Sequence, residues 1–202
     1  MQVVILTNEQ LKSELLATAS TPVQNITWVE ELSQLLNHGN ADAFVDLLFT
    51  KDHLATLNAL SPKLVVISSV MDTLSETNSS FVRINAWPTF LQSTLIEASS
   101  FDDVVKQLTQ DLFSLFNKKM EWLPDEPGFI TPRVISMIIN EAFLALNEGV
   151  SSKEEIDTAM KLGTNYPYGP FDWAQRIGVD KISSLLLKLS AHEPRYTPFI
   201  PV

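Results

Sequence analysis

The chain of 202 residues contains no cysteine. Disulfide staples, thiolate catalysis and cysteine-ligated metal centres are therefore excluded, and no metal site is expected. Glycine is scarce, with six residues, and histidine scarcer, with three. Positive charge is also short. Against 24 aspartates and glutamates stand 14 lysines and arginines, a formal net charge of -10. That balance argues against binding a nucleic-acid backbone, which depends on clustered cations. No apolar run approaches the roughly 20 residues of a membrane helix, so no membrane partner is expected. The opening MQVVILTNEQ lacks a basic segment followed by a long apolar run. A signal peptide is not expected, and a cytoplasmic protein is the default. Internal repeats and low-complexity runs are missing too.

What is present suffices for a core. Hydrophobic residues make up 45% and charged residues 19%. Over the first 120 residues, apolar β-rich runs at 3–6, 26–29, 43–49, 64–69 and 81–86 alternate with helix-like segments at 9–17, 30–36 and 53–60. That alternation predicts a parallel α/β sheet. Strand runs that are apolar throughout fit a sheet covered on both faces. A helix is predicted over 101–116, with positions 101, 104, 105, 108, 112, 115 and 116 forming one apolar face.

After residue 120 the pattern changes. MEWLPDEPGF reads as a last strand and a proline-rich linker. A long helix is predicted over 131–148. A second begins at SSKEEIDTAMKLG, capped by Ser151 or Ser152 and ended by Gly163. LGTNYPYGPFDWAQRIG then packs two prolines and four aromatics around a short helix opened by Pro170 and stopped by Gly178. A helix over 182–189 completes an all-α unit. The expected units are 1–122, a shortened Rossmann-like α/β domain, and 127–202, all helical.

The second unit resembles the C-terminal domain of the 3-hydroxyacyl-CoA dehydrogenases. Pro127, Gly128, Phe129, Ile130 and Arg133 match that family's PGFI-x-N-R opening. Glu141-Ala142, Glu148-Gly149-Val150, Ile156-Asp157 and Ala159-Met160 match its middle. Pro167, Gly169, Pro170, Gly178 and Asp180 match its P-x-GP-x-x-x-x-x-x-G-x-D loop, and EPRYTPFIPV resembles its D-P-R-Y-x-P segment. The resemblance implies a Rossmann-like sheet domain followed by a helical domain of the 6-phosphogluconate-dehydrogenase C-terminal type. It also implies a homodimer through the helical domain, which forms one wall of an acyl-CoA cleft. The first unit is similar in order: LVVISSV to the strand ending in N-T-S-S, and RINAWPTFLQSTLIEAS to H-F-F-N-P-V-P-x-M-x-L-V-E-V.

The same resemblance marks departures. The family's G-x-G-x-x-G turn is replaced by Thr7, Asn8, Glu9 and Gln10, without glycine. Glu30 or Glu31 stands where the ribose-binding acid is expected. The family's catalytic histidine aligns with Ile84 or Asn85, its glutamate with Glu97, its substrate-contacting serine with Ser68 or Ser69, and its asparagine with Pro132. Without a histidine, Glu97 is expected to be a surface or capping acid. A carboxamide cannot take the proton that an imidazole takes near neutrality. These departures imply a degenerate member with no bound cofactor, retaining acyl-CoA binding or a regulatory role. The alternatives are an active enzyme of atypical site, which would use NAD, and a protein-interaction module.

Overall fold

A computed structural model describes residues 1–20, 22–77 and 79–200. Pro201 and Val202, which end the expected helical unit, lie outside the described residues. The chain divides into two compact units, Met1–Phe129 and Ile130–Val202.

The first unit is built on seven strands: β1 (Val3–Leu6), β2 (Ile26–Val29), β3 (Ala43–Asp46), β4 (Leu64–Ser68), β5 (Val82–Ile84), β6 (Leu95–Ser99) and β7 (Lys119–Trp122). They lie in the order β2-β1-β3-β4-β5-β6-β7. Strands β1 to β5 are parallel. β6 runs antiparallel to β5, and β7 is parallel to β6. The periodicity reading omitted β6, whose LIEAS follows a turn-rich stretch. The crossover helices are short: α1 (Glu9–Leu16), α2 (Leu32–Leu36), α3 (Leu54–Asn58) and α4 (Leu74–Thr77). Alternate strand residues feed opposite faces. Val3 and Ile5 join one buried cluster with Leu11, Leu15, Phe113 and Phe116, and Val4 and Leu6 join another with Phe44, Leu57 and Ile67.

Helix α5 (Asp103–Ser114) corrects the one-face reading. Its sheet-facing side is Thr109, Leu112 and Phe113, continued by Phe116, all buried. Phe101, Val104, Leu108 and Leu115 are exposed. Apolar residues therefore occupy two sides of this helix, a split that periodicity alone merged.

Two buried cations tie loops to the sheet. Arg83, inside β5, donates from Nε to Asp125 at 2.6 Å and from its two terminal nitrogens to the carbonyls of Ser69 and Glu126, at 3.2 and 2.5 Å. Its guanidinium carbon lies 4.1 Å from the Phe129 ring centre. Asp125 also accepts from the backbone amides of Leu74 and Ser75, at the start of α4. Lys118 donates to the Thr18 hydroxyl and to the carbonyls of Leu91 and Ser93.

The second unit comprises α6 (Thr131–Asn147), α7 (Lys153–Thr164), α8 (Pro170–Ile177) and α9 (Val179–Ser190). Ser152 caps α7 in a reciprocal box with Glu155. The helix passes Gly163 and ends at Thr164, before Asn165 in the left-handed region at φ 56°. Gly163 is therefore not the stop that the sequence suggested. Asn, after glycine, is the residue that best tolerates that conformation. Asp157, on α7, accepts from the Phe171 and Asp172 amides at the N-terminus of α8. This close approach explains Gly169, where an added Cβ would lie 2.3–2.4 Å from Asp157 side-chain atoms. Gly178, at φ 102°, takes the turn from α8 into α9. Tyr166 and Tyr168 pack edge-on against buried Trp173. Rings, a carboxylate cap and one side-chain-free position together fix the aromatic loop between α7 and α8.

Candidate functional site at the carboxyl edge of the sheet

Parallel strands present their carboxyl ends along one edge. In open α/β sheets ligands bind there, where strand order reverses. In this sheet that point lies between β1 and β3. Only Thr7 and Asn8 separate β1 from α1. Asn8 is the helix cap, and its Oδ1 accepts from the Leu11 amide at 2.9 Å. Glu9 follows in the first turn. A glycine-rich turn presents free amides and bare backbone to a pyrophosphate. This turn presents a capping side chain and a carboxylate, and does not fit a dinucleotide in that manner. Glu30 follows β2 and is exposed, with its amide donating to Gln34.

At the end of β3, Asp46 is fully buried. Its Oδ2 lies 2.6 Å from His53 Nδ1, and its Oδ1 accepts from the Leu48 amide at 2.9 Å. Burial pushes the Asp46 carboxyl above its ordinary range, against the opposing pull of His53. The sequence reading did not foresee this pair. Seven positions separate its members across a turn, and no residue pattern announced their contact. Ser69, past the end of β4, is buried and donates its hydroxyl to the Asp72 carbonyl at 2.6 Å. It closes a turn, as serine commonly does after a strand.

The last pair lies at the end of β5. Ile84 is inside the strand and buried, and Asn85 is the next residue out. The antiparallel register brings Asn85 beside Glu97 of β6, with the Asn85 amide donating to the Glu97 carbonyl at 2.9 Å. The side chains meet as well: Asn85 Nδ2 donates to Glu97 Oε2 at 3.1 Å. Asn85 Oδ1 accepts from the Trp87 amide at 3.3 Å. Glu97 is thus buried and partnered. The expectation of a surface or capping acid is corrected, because the antiparallel turn of the chain, which periodicity did not reveal, folds β6 back onto β5. Pro132 is buried in the first turn of α6, where it carries no side-chain donor. Among the described residues, no group of three histidine or acidic side chains could hold a metal ion. None of the described helices is long and apolar enough to cross a membrane.

This architecture, a mostly parallel sheet unit followed by a helical unit, is that of the 3-hydroxyacyl-CoA dehydrogenases. The (S)-3-hydroxybutyryl-CoA dehydrogenase of Ralstonia eutropha superposes with a TM-score of 0.72 over 98% of this chain and 90% of its own, at 20% identity. The sequence model of the 3-hydroxyacyl-CoA dehydrogenase C-terminal domain matches residues 128–200. The helical unit belongs to that family. It is similar to the 3-hydroxyadipyl-CoA dehydrogenase of Escherichia coli, 50% identical over 78 residues, which are 38% of this chain and 16% of that protein. A 3-hydroxybutyryl-CoA dehydrogenase of Bradyrhizobium diazoefficiens is 37% identical over 92 residues, 46% of this chain and 31% of the relative. The matched segment thus spans less than a third of either curated relative.

Proposed function

We propose that this protein is a 3-hydroxyacyl-CoA dehydrogenase relative that binds an acyl-CoA, or regulates a dehydrogenase, without itself transferring hydride. The observation that carries the reading is the buried Asn85–Glu97 pair. A general base contributes about 10² to 10⁴-fold to such a reaction. The carboxamide of Asn85 has no titratable proton, and both its ends are engaged, one by Glu97 and one by the Trp87 amide. The capped β1–α1 turn is a second and independent reason, since it lacks the features that would receive the pyrophosphate of NAD. Support for a CoA thioester as ligand is the helical unit's likeness to enzymes named for 3-hydroxyacyl-CoA substrates.

The same likeness supports a homodimer through the helical unit. Helix α7 buries none of its 12 residues within the chain. An isolated helix of that length is marginal in water. A second copy packed on it supplies what the single chain lacks.

The test is a separate titration of acetoacetyl-CoA and of NADH, read by the fluorescence of the four tryptophans, followed by NADH turnover. The expected outcome is saturable acetoacetyl-CoA binding, no NADH binding, and turnover at the buffer background. NADH oxidation well above background would overturn the reading and return the chain to the working dehydrogenases.

A further inference from the structure

Helix α5 carries a feature that neither the sheet nor the proposed ligand uses. Phe101, Val104, Leu108, Asp111 and Leu115 follow one another at spacings of three, four, three and four residues. That is the repeat of a coiled-coil seam, the a and d positions of successive heptads. The seam faces away from the sheet. Phe101 and Val104 are 68% and 70% exposed, and Leu108 and Leu115 are 44% and 42% exposed. Single exposed apolar residues are ordinary on a protein surface, but an aligned row of four marks an interaction face. At its far end Leu115 and Asp111 border an open cavity of about 670 Å³, whose other apolar walls include Pro22 and Val23.

Asp111 decides what covers this face. It is the one polar member of the seam, and no cation pairs with it among the described residues; it accepts only from Gln107, one turn back. A second copy of this chain satisfies it in neither orientation. A parallel, in-register pair sets Asp111 against Asp111. An antiparallel pair centred on Leu108 sets Asp111 against Val104, burying a carboxylate on an apolar side chain. Either arrangement is disfavoured, since a buried charge needs a partner. The flanks are acidic too: Asp102 and Asp103 are exposed, and the nearby Lys106 is already paired with Asp103. An anionic lipid surface meets the same repulsion.

We infer that the outer face of α5 docks a basic amphipathic helix of a different protein, with a lysine or arginine opposite Asp111. A polar residue at one seam position is a known means of fixing register and partner. This inference is independent of the ligand reading and of the helical unit.

The probe is a synthetic helix of about three heptads. It carries leucine along its seam, one lysine placed to meet Asp111, and lysine on its flanks. A scrambled peptide of the same composition and a seam peptide with glutamate in place of the central lysine are the controls. Fluorescence anisotropy against the full chain is expected to give at least tenfold tighter binding of the seam peptide than of the scrambled one. Val104→Gln with Leu108→Gln should remove that advantage while leaving the circular dichroism unchanged. Asp111→Lys should reverse the preference between the lysine and glutamate peptides. Equal binding of the scrambled peptide, or no reversal with Asp111→Lys, overturns the inference. So does self-association of the chain that the Val104→Gln, Leu108→Gln variant abolishes.

Discussion

Lys118 is the residue whose chemistry departs furthest from its ordinary behaviour. It is 1% exposed, and burial pushes its ammonium down to about 8. Its three hydrogen bonds to Thr18, Leu91 and Ser93 place it at the junction of three loops. A lysine with a depressed folded pKa makes the folded state less stable while it is charged. Below about pH 8 the folded and unfolded forms are both protonated, and the full cost of burying the charge is present. As pH rises from about 8 toward 10.5, the folded form releases its proton first, and the cost is relieved. The span corresponds to roughly 3 kcal/mol. Wild type should therefore gain about that much stability relative to Lys118→Met between pH 7 and pH 10.5, measured by urea denaturation. A constant difference across that range would mean that the hydrogen bonds keep the ammonium charged throughout. Residues of this kind were not legible in the sequence. Lysine in NKKMEW reads as surface charge, and only the packing of Phe116 and Met120 on either side of it turns it inward. Asn85 was legible as one of two alternatives, because its order relative to Glu97 survives in the chain. The bond between them was not, since it depends on an antiparallel register.

At the scale of elements, the five parallel strands were readable because each is a short apolar run bounded by turns. β6 was not, because its pairing direction is set by the loop before it and by no periodicity of its own. The capping box of α7 and the Pro170 start of α8 were readable, since caps are local chemistry. The tie between β5, α4 and the segment leading to Phe129 was not, being made across more than 40 positions by Arg83 and Asp125. That tie supports a firm prediction. Both side chains are nearly inaccessible, at 0% and 6% exposure. Removing one partner of a buried pair leaves the other charge uncompensated and costs about 3–5 kcal/mol. Asp125→Ala should destabilise the first unit by that amount, the more so because Asp125 also accepts from Leu74 and Ser75 at the start of α4. The double change Arg83→Met, Asp125→Leu should cost less than Asp125→Ala alone, since no charge then stays buried. If the two variants unfold at the same denaturant concentration, the tie is a packing contact rather than an ionic one.

At the scale of the whole molecule, two surfaces stand out, and they lie on different units. One is the seam on α5, the other the outer side of α7, where Leu162 is 81% and the preceding Val150 70% exposed. A chain with net charge -10 resists self-association unless apolar contact outweighs the repulsion. On α7 that balance favours a second copy. Acidic Glu154 and Glu155 are confined to its first turn, Glu155 is held by Ser151 and Ser152, and the remaining length carries Ile156, Met160 and Leu162. On α5 the balance is reversed, because Asp111 sits inside the seam. The two surfaces therefore give opposite results in one experiment. Sedimentation velocity at moderate salt should give a mass twice the 22.6 kDa of one chain. Val150→Glu with Leu162→Glu should halve the sedimenting mass with little loss of helix content. Val104→Gln with Leu108→Gln should leave it at the dimer value. A monomer in wild type would remove the homodimer from the proposed function and leave the α5 inference standing. A dimer dissociated by the α5 changes, and not by those beside α7, would reverse the assignment of both faces.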